Sequence, residues 1–447
     1  MKIVSNFDSG SIEVINATDI NNIQLALVSD NKHQTRQWFH FRSEVQIGKQ
    51  HIFRIINASE SSFANAWRGY QAMASYDQKS WFRVDTQYID GELLITHTPN
   101  SDQLFIAYFT PYSYQQHQAL MQTVSAHPDV TIDSLLTTEL ANSVDLLTIG
   151  TPSEDKLAIW VIARQHPGET MAQWFSEGLI NRLLTDNTMR ETLLDKSVFY
   201  IVPNMNPDGS ILGNHRTNAY GQNLNRCWGN PSQNECPEVH AVQQKMANTG
   251  VDLLLDIHGE EQIPYSFIMP AKAGCRNARL AKAFKDQLAQ TTQDFQTKID
   301  YGNYQAGERC CQSSCGSSQI SQPCPCGVTN EATSCCEKNE KPAKESTCST
   351  SSCCENTKEL RKTSTCATNS CCEQTSQTNS CGKAQSGLMA TEYVANTFNC
   401  LAMVLEMPFI DHLDNANAHS GWTAERSAQL GRDVLTPLLN FVTQEIS

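Results

Sequence analysis

"LAIWVIARQHPGETMAQWF", residues 157–175, joins an apolar run to an amphipathic segment through a short polar turn. The first seven residues are continuously apolar, which is typical of a strand buried on both faces of a sheet. After the turn, Met171 and Phe175 begin a spacing of three to four residues that predicts a helix. A strand that leads directly into a helix predicts an α/β sheet. The turn between them carries His166 and Glu169, two side chains with metal-binding and proton chemistry.

The same alternation of apolar strands and amphipathic helices continues over residues 116–447, which we predict to form one domain. Strands are predicted at 197–204, 251–257 and 400–407, and helices at 112–127, 169–184, 237–248, 278–291 and 427–444. Continuous apolar strands between helices indicate an α/β fold whose sheet is covered on both faces.

Residues 1–115 have a different rhythm, with short apolar or alternating runs separated by Asn, Asp, Gly and Ser. The runs occur at 11–15, 23–29, 38–45, 51–58, 80–86, 92–98 and 103–109. Seven runs at this spacing predict an all-β sandwich domain. It carries no metal-ligand spacing and no nucleophile pattern, so we expect a role in packing or recognition.

A cysteine-rich segment at 307–386 interrupts the α/β pattern. Of the 18 cysteines in the chain, 14 lie between Cys310 and Cys381, and three Cys-Cys pairs recur with a period of 18 residues. The segment is too polar to bury a core, which predicts an insertion that loops out of the α/β domain. Three interpretations stay open: binding of soft metals by thiolates, a disordered spacer, or disulfide crosslinks.

Charge and hydropathy narrow the choice of partners and compartment. The net charge is -14 and the pI is near 5.3, which disfavours nucleic acid and anionic membranes as partners. The first residues lack the apolar core of a signal peptide, and no apolar run is long enough to cross a bilayer. We therefore expect a cytoplasmic protein, in which the four cysteines outside the insertion are reduced.

Four side chains that suit metal binding or proton transfer fall at the ends of predicted strands. His166 and Glu169 follow the strand 157–163, His258 follows "LLLDI", and Glu406 lies in "LAMVLEM". The carboxyl ends of strands in an open α/β sheet form the edge where ligands bind. His166, Glu169 and His258 make the donor set of a catalytic zinc site, which has three protein ligands and one open position. Zinc lowers the pKa of a bound water, and Glu406 is placed to accept its proton.

Two arginines in "NMNPDGSILGNHRTNAYGQNLNRCW", residues 204–228, suit the recognition of anionic groups. A guanidinium binds a carboxylate through two charge-assisted hydrogen bonds, so Arg226, beside Asn225, is a candidate clamp for a free α-carboxylate. Arg216 is a candidate for stabilising the oxyanion of a tetrahedral intermediate. These residues together predict a zinc hydrolase.

The motifs "HPGET", "NPDG…R…NLNR", "DIHG" and "LEMPF" resemble those of the zinc metallocarboxypeptidases of the carboxypeptidase A superfamily (the M14 peptidases). The chain is most similar to bacterial members of the cytosolic carboxypeptidase branch, which carry an N-terminal β-sandwich. The resemblance implies a mixed eight-stranded sheet between helices. It also implies one zinc ion per chain on His166, Glu169 and His258, general base Glu406, carbonyl-polarising Arg216, and carboxylate binding by Asn225 and Arg226.

The activity implied by this resemblance is hydrolysis of a C-terminal peptide bond, or of a side-chain glutamyl bond, by a zinc-bound water with Glu406 as the base. The substrate would be a peptide or protein C-terminus. Members that remove glutamate carry a basic residue where this chain has "SGLMATEYV", residues 386–394, without Arg or Lys. The residue preference therefore stays open. Tyr393 is a candidate for the substrate-binding tyrosine of digestive relatives, although packing is its preferred interpretation.

Two other functions remain as alternatives. An N-acyl amino-acid deacylase of the aspartoacylase or succinylglutamate desuccinylase type shares the HxxE…NR…H arrangement, but the β-sandwich and "NPDG" argue against it. A non-catalytic metal-buffering protein is a hypothesis of another class, and the retained Glu406 argues against it. Near His258, we expect Glu260 and Glu261 in a solvated loop. Asp256 is expected either to orient a ligand or to form a structural salt bridge.

Overall fold

Ten short strands form the N-terminal region in the computed structural model of the protein, which describes residues 1–271, 275–304 and 387–445. The strands are β1 (Ile3–Val4), β2 (Glu13–Asn16), β3 (Ile23–Ala26), β4 (His40–Glu44), β5 (His51–Ile55), β6 (Met73–Ser75), β7 (Trp81–Arg83), β8 (Asp85–Ile89), β9 (Glu92–His97) and β10 (Gln103–Ala107). They form two five-stranded sheets in the orders β1-β4-β10-β6-β7 and β2-β3-β5-β9-β8. The predicted insertion at 307–386, with its soft-metal interpretation, lies outside the described residues.

The two N-terminal sheets share one apolar core. Alternate residues of β5 are buried, as expected for a strand with one face against a core. Phe41 on β4 and Phe53 on β5 belong to different sheets, and their ring centroids lie 5.7 Å apart. The predicted all-β sandwich is thereby confirmed.

Seven strands form the sheet of the second region: β11 (Val130–Thr137), β12 (Ser143–Ile149), β13 (Leu157–Ala163), β14 (Ser197–Val202), β15 (Leu253–Glu260), β16 (Phe267–Pro270) and β17 (Leu401–Pro408). Their order is β11-β12-β14-β13-β15-β17-β16. The central strands β14, β13, β15 and β17 run parallel, and the outer strands are antiparallel to their neighbours. The resemblance implies eight strands, and the described residues supply seven.

Nine helices lie in the described part of the chain: α1 (Tyr114–Val124), α2 (Met171–Thr185), α3 (Asn187–Lys196), α4 (Pro207–Leu212), α5 (Pro237–Thr249), α6 (Cys275–Thr291), α7 (Ala390–Phe398), α8 (Ala424–Asp433) and α9 (Leu435–Glu445). Within those same residues, no helix is both long and apolar enough to reach across a membrane.

Strand β13 shows why the sheet is covered on both faces. Ile159 and Val161 point into a core shared with α2, whereas Trp160 and Ile162 point into a second core shared with α5. Every residue of β13 after Leu157 is buried, as predicted for a continuous apolar strand between helices. The mixed sheet between helices is thus confirmed, and its parallel centre brings several strand ends to one edge.

Helices α2 and α8 meet without side chains between them. A Cβ at Gly178 on α2 would overlap the carbonyl oxygen of Ala428, and a Cβ at Gly431 on α8 would overlap that of Phe175. The contact therefore requires glycine at both positions. The contact holds α2 against α8. The first turn of α2 follows the His166–Glu169 segment, so the contact also anchors that segment.

We expect Gly178→Ala to lower the free energy of unfolding by about 1–3 kcal/mol, because the added methyl must push two backbones apart. The measurement is the midpoint of thermal unfolding. Asn181→Ala, at an exposed position of the same helix, is the control and should leave the midpoint unchanged or slightly raised. Equal midpoints for Gly178→Ala and the unsubstituted protein would contradict the contact.

Candidate metal centre and its cavity

His166, Glu169 and His258 converge at the carboxyl edge of the sheet. His166 follows β13, Glu169 precedes α2, and His258 lies on β15, which pairs with β13 in parallel. Glu169 Oε1 lies 2.7 Å from His166 Nδ1, and Glu169 Oε2 lies 2.8 Å from His258 Nδ1. All three residues are at least 97% buried, and their ligand atoms lie within 4.8 Å of one another. Burial would raise the pKa of Glu169, but the two imidazoles bring it well below its ordinary value.

The outer nitrogens of both histidines contact oxygen acceptors. His166 Nε2 lies 3.0 Å from Asn223 Oδ1, and His258 Nε2 lies 3.0 Å from Asp256 Oδ1. Gln165 Nε2 donates to both carboxylate oxygens of Asp256, at 2.9 and 2.8 Å. An acceptor at Nε2 favours a proton there and leaves the Nδ1 lone pair free for a metal. Of the two interpretations of Asp256, orientation of a ligand is therefore the one that the geometry favours.

The donor set fits a zinc ion. Two imidazole nitrogens and one carboxylate are the protein ligands of many catalytic zinc sites, which keep a further position open. Among the residues that the structure describes, His166, Glu169 and His258 are the group that could hold a metal.

A buried arginine and a glycine shape the turn that carries His166 and Glu169. Arg164 Nε donates to the carbonyl oxygen of Pro167 at 2.9 Å. The Gly168 N–H donates to the carbonyl oxygen of His215 at 2.9 Å, and a Cβ on Gly168 would crowd the His215 ring. The glycine thus lets the turn lie directly against the segment that contains Arg216.

Glu406 lies beside His258, because β15 and β17 pair in parallel with these two residues in register. Its Oε1 accepts a hydrogen bond from the Tyr301 hydroxyl at 2.8 Å, and its buried Oε2 has no hydrogen-bond partner among the described residues. Burial and the nearby carboxylates of Glu169 and Glu260 raise the pKa of Glu406 to about 8, although His258 opposes them.

Tyr301 is a candidate functional residue that the sequence interpretation missed. The residue as a whole is 51% exposed, while its hydroxyl donates a hydrogen bond to Glu406. Tyr393, the sequence candidate, instead packs against Trp228 with ring centroids 5.8 Å apart, in agreement with the preferred packing interpretation. The long insertion between Tyr301 and Glu406 hides their relation in the sequence, so spacing alone gave no usable signal.

The expectation that Glu260 and Glu261 lie in a solvated loop is wrong. Their exposed fractions are 7% and 4%, and both line the cavity. Glu261 Oε1 lies 2.8 Å from His215 Nε2. Glu260 accepts the backbone N–H groups of Gln262 and Ile263, and burial together with Glu261 raises its pKa to about 7. These internal partners explain how two adjacent carboxylates can be buried.

The predicted anion-binding residues line the same cavity, whose volume is about 660 Å³. Arg216 Nη1 lies 4.0 Å from Glu169 Oε1. Asn225 Oδ1 accepts the backbone N–H of Ala390 at 3.0 Å, and Arg226 donates to the carbonyl oxygen of Asn225 at 2.7 Å. All seven predicted site residues therefore line this one cavity.

Cys227 and Cys236 form a disulfide, so the expectation of reduced thiols is wrong for this pair. Cys400 is free and buried, and burial raises the pKa of its thiol to about 12. The two paired cysteines stand nine positions apart, and this separation gave no disulfide signal in the sequence.

Two family patterns match the chain. The pattern described as zinc carboxypeptidase matches residues 117–412, and the one described as cytosolic carboxypeptidase N-terminal domain matches residues 3–109. The first pattern covers the α/β sheet with all the site residues, and the second covers the ten-stranded N-terminal region.

Individual relatives agree with these matches. An uncharacterized protein of Zymomonas mobilis is 34% identical over 452 residues, which cover 99% of this chain and 97% of that protein. Human cytosolic carboxypeptidase 1 is 30% identical over 285 residues, which cover 54% of this chain and 23% of the human protein. The solved metallo-carboxypeptidase from Pseudomonas aeruginosa, in complex with (2-guanidinoethylmercapto)succinic acid, is 35% identical, with a TM-score of 0.78 and 100% of both chains covered.

We expect Asp256→Ala to weaken the binding of Zn²⁺ about 10- to 100-fold, because His258 loses the acceptor that fixes its orientation and tautomer. Competition with a chromogenic chelator measures the affinity. Asp252→Ala is the control, since Asp252 lies near the start of the same strand and accepts the backbone N–H of Ala158. If both variants bound zinc as tightly as the unsubstituted protein, Asp256 would have no orienting role.

Proposed function

The chain belongs to the zinc carboxypeptidase family, which hydrolyses peptide bonds, and we propose that it removes the C-terminal residue from a peptide or protein with one zinc ion per chain. The observation that carries the proposal is the convergence of His166, Glu169 and His258 beside Glu406, in a cavity that also holds Arg226. A cytoplasmic location is part of the proposal and rests on the type of the N-terminal domain.

In this proposal His166 and His258, through Nδ1, and the carboxylate of Glu169 would hold the zinc ion. Zinc supplies Lewis acidity there: it lowers the pKa of a water molecule and polarises a carbonyl group. Asn223 and Asp256 keep the two imidazoles in the orientation that presents Nδ1.

Glu406 moves the proton. Glu406 lines the cavity and its Oε2 has no hydrogen-bond partner among the described residues, so the carboxylate can accept a proton from the attacking water and then pass it to the leaving amine. The Tyr301 hydroxyl donates to Oε1 and so fixes the orientation of the carboxylate. Tyr301 is also placed to contact the substrate, because it lines the same cavity.

The arginines bind the anionic parts of the substrate. Arg216 lies on the cavity wall near Glu169, where a guanidinium stabilises negative charge that develops on the carbonyl oxygen of the scissile bond. Arg226, with Asn225, binds the free α-carboxylate, which restricts cleavage to the last residue of a chain. This requirement for a terminal carboxylate is what distinguishes a carboxypeptidase from an endopeptidase.

The family matches bear on both alternative functions, the metal buffer and the N-acyl amino-acid deacylase. Membership of a family of peptide-hydrolysing enzymes argues against the non-catalytic metal buffer as a description of the whole chain. An N-acyl amino-acid deacylase would use the same metal chemistry, but the match to the cytosolic carboxypeptidase N-terminal domain favours a peptidase. A panel of peptides assayed beside N-acetyl and N-succinyl amino acids separates these two activities.

We expect Glu406→Gln to reduce peptide hydrolysis by about 10²- to 10⁴-fold while zinc stays at about one equivalent, because the amide cannot accept the proton of the water. Mass spectrometry of a peptide mixture gives the hydrolysis, and elemental analysis gives the metal. Glu238→Gln is the matched control, since Glu238 is 1% exposed, has a pKa raised to about 7 by burial, and does not line the cavity. Full activity of Glu406→Gln would show that another group is the base.

We further propose that the leaving residue has a basic side chain. Among the described residues that line the cavity, the Lys and Arg side chains are Arg216 and Arg226, which the mechanism assigns to the oxyanion and the α-carboxylate. Glu392, in the first turn of α7, lines the same cavity. Burial and Arg216 lower the pKa of Arg226, whereas the negative charge of Glu392 raises it. The carboxylate of Glu392 is therefore close enough to Arg226 to interact with it inside the cavity.

The ligand of the Pseudomonas aeruginosa relative has matching chemistry, since it combines carboxylates with a guanidino group. A C-terminal Arg or Lys offers the same combination. A C-terminal glutamate would instead bring its side-chain carboxylate towards Glu392. Repulsion between like charges therefore disfavours the glutamyl substrate.

We expect peptides ending in Arg or Lys to be cleaved faster than those ending in Glu, and Glu392→Gln to reduce cleavage after basic residues roughly tenfold. Cleavage of peptides ending in Leu should change little. Glu425→Gln, in the first turn of α8, is the control and should leave all rates unchanged. A preference for C-terminal Glu that survives in Glu392→Gln would contradict this assignment.

A further inference from the structure

The segment that carries Arg216 is held by a side chain of the N-terminal domain. Asp30 follows β3 and is 5% exposed. Its Oδ1 accepts the backbone N–H of His215 at 2.7 Å. Its Oδ2 accepts the N–H groups of Arg216 at 2.8 Å and Thr217 at 2.9 Å, and the Thr217 hydroxyl at 3.1 Å. One carboxylate thus binds three consecutive backbone N–H groups of another domain.

These hydrogen bonds fix the position of the Arg216 backbone, from which the side chain extends. Hydrogen bonds to an ionised carboxylate are shorter and stronger than those between neutral groups. Three consecutive N–H groups can point at one carboxylate only if the backbone dihedral angles between them are fixed. The Cα–Cβ direction of Arg216, and hence the reach of its guanidinium, therefore depends on Asp30.

A second side chain of the same domain contacts this arginine from the cavity. The Phe63 ring lies 5.7 Å from Arg216 Cζ, within the range of a cation–π contact. The same ring meets the His215 ring with centroids 5.7 Å apart. Phe63 also lines the cavity. The N-terminal domain thus supports both the backbone and the guanidinium of Arg216.

We infer that Asp30 is a positioning residue for the hydrolytic reaction, acting through Arg216. The inference rests on the proposed function, in which Arg216 stabilises the charge that develops on the scissile carbonyl oxygen. It makes the N-terminal β-sandwich a part of the catalytic apparatus. A merely structural role of Asp30 would instead affect stability and, through it, all kinetic constants alike.

Asp30→Asn is the informative substitution, because it keeps the size of the side chain. An amide offers one acceptor oxygen, and its NH2 group would face backbone donors. We expect kcat to fall about tenfold or more while KM stays within about twofold, because the loss falls on the transition state. In the Arg216→Ala background, Asp30→Asn should reduce kcat no further, since its effect passes through that arginine.

Ile95→Ala is the control for a general loss of stability. Ile95 is fully buried in the N-terminal core, so its truncation lowers the melting temperature without touching the Asp30 contacts. At a temperature where all variants are folded, Ile95→Ala should keep the kcat of the unsubstituted protein. An equal loss of kcat from Asp30→Asn with and without Arg216 would overturn the inference.

Hydrogen exchange gives a readout that needs no substrate. The amides of His215, Arg216 and Thr217 should exchange at least tenfold faster in Asp30→Asn and remain protected in Ile95→Ala. Unchanged exchange of these amides in Asp30→Asn would also overturn the inference. If the unsubstituted protein cleaved no peptide, the proposed function would fail, and the exchange experiment would still decide whether Asp30 holds the segment.

Discussion

The site depends on the contact that the Glu169 carboxylate makes with two imidazoles, those of His166 and His258. A buried carboxylate is unfavourable unless charges and hydrogen-bond donors surround it. Glu169 accepts the backbone N–H of Gly259 at 3.0 Å, and its two oxygens lie 2.7 and 2.8 Å from the Nδ1 atoms of His166 and His258. Its partners come from the ends of two parallel strands, so the arrangement exists only if the sheet is correctly paired. The lone pairs of the two Nδ1 atoms and of the carboxylate repel one another, and a divalent cation between them would attract all three. Binding of a metal would therefore stabilise the folded protein.

The buried polar groups around this centre form a connected network. From His258 the contacts lead through Asp256 to Gln165, whose Oε1 accepts the indole N–H of Trp228 at 2.9 Å. Trp228 lies two residues after Arg226, so the segment proposed to bind the substrate carboxylate is attached to the residues that contact the candidate metal ligands. Such networks rigidify a site because each side chain provides a hydrogen-bond partner for the next. Few alternative arrangements would give every polar group a partner.

Much of this arrangement was predictable from the sequence, because the decisive signals are local. "LAIWVIA" predicts β13 with the observed bounds, and its continuous apolar character follows from burial on both faces. The outer strand β11 was missed because most of its residues are at least partly exposed and show no apolar run. Tyr301 was missed because its partner Glu406 is distant in the chain. The burial of Glu260 and Glu261 was missed because their partners come from other parts of the chain, and local sequence gives no sign of them.

The close approach of Gly168 to His215 has an evolutionary consequence. The turn that carries His166 and Glu169 lies against the His215 segment, and that segment is hydrogen-bonded to Asp30, so three stretches of chain are in contact across the boundary with the N-terminal domain. A catalytic module built in this way is not portable. Recombination that joined it to a foreign β-sandwich would have to restore an acidic group at one point of the new seam. An exchange of either module alone would have to preserve these contacts.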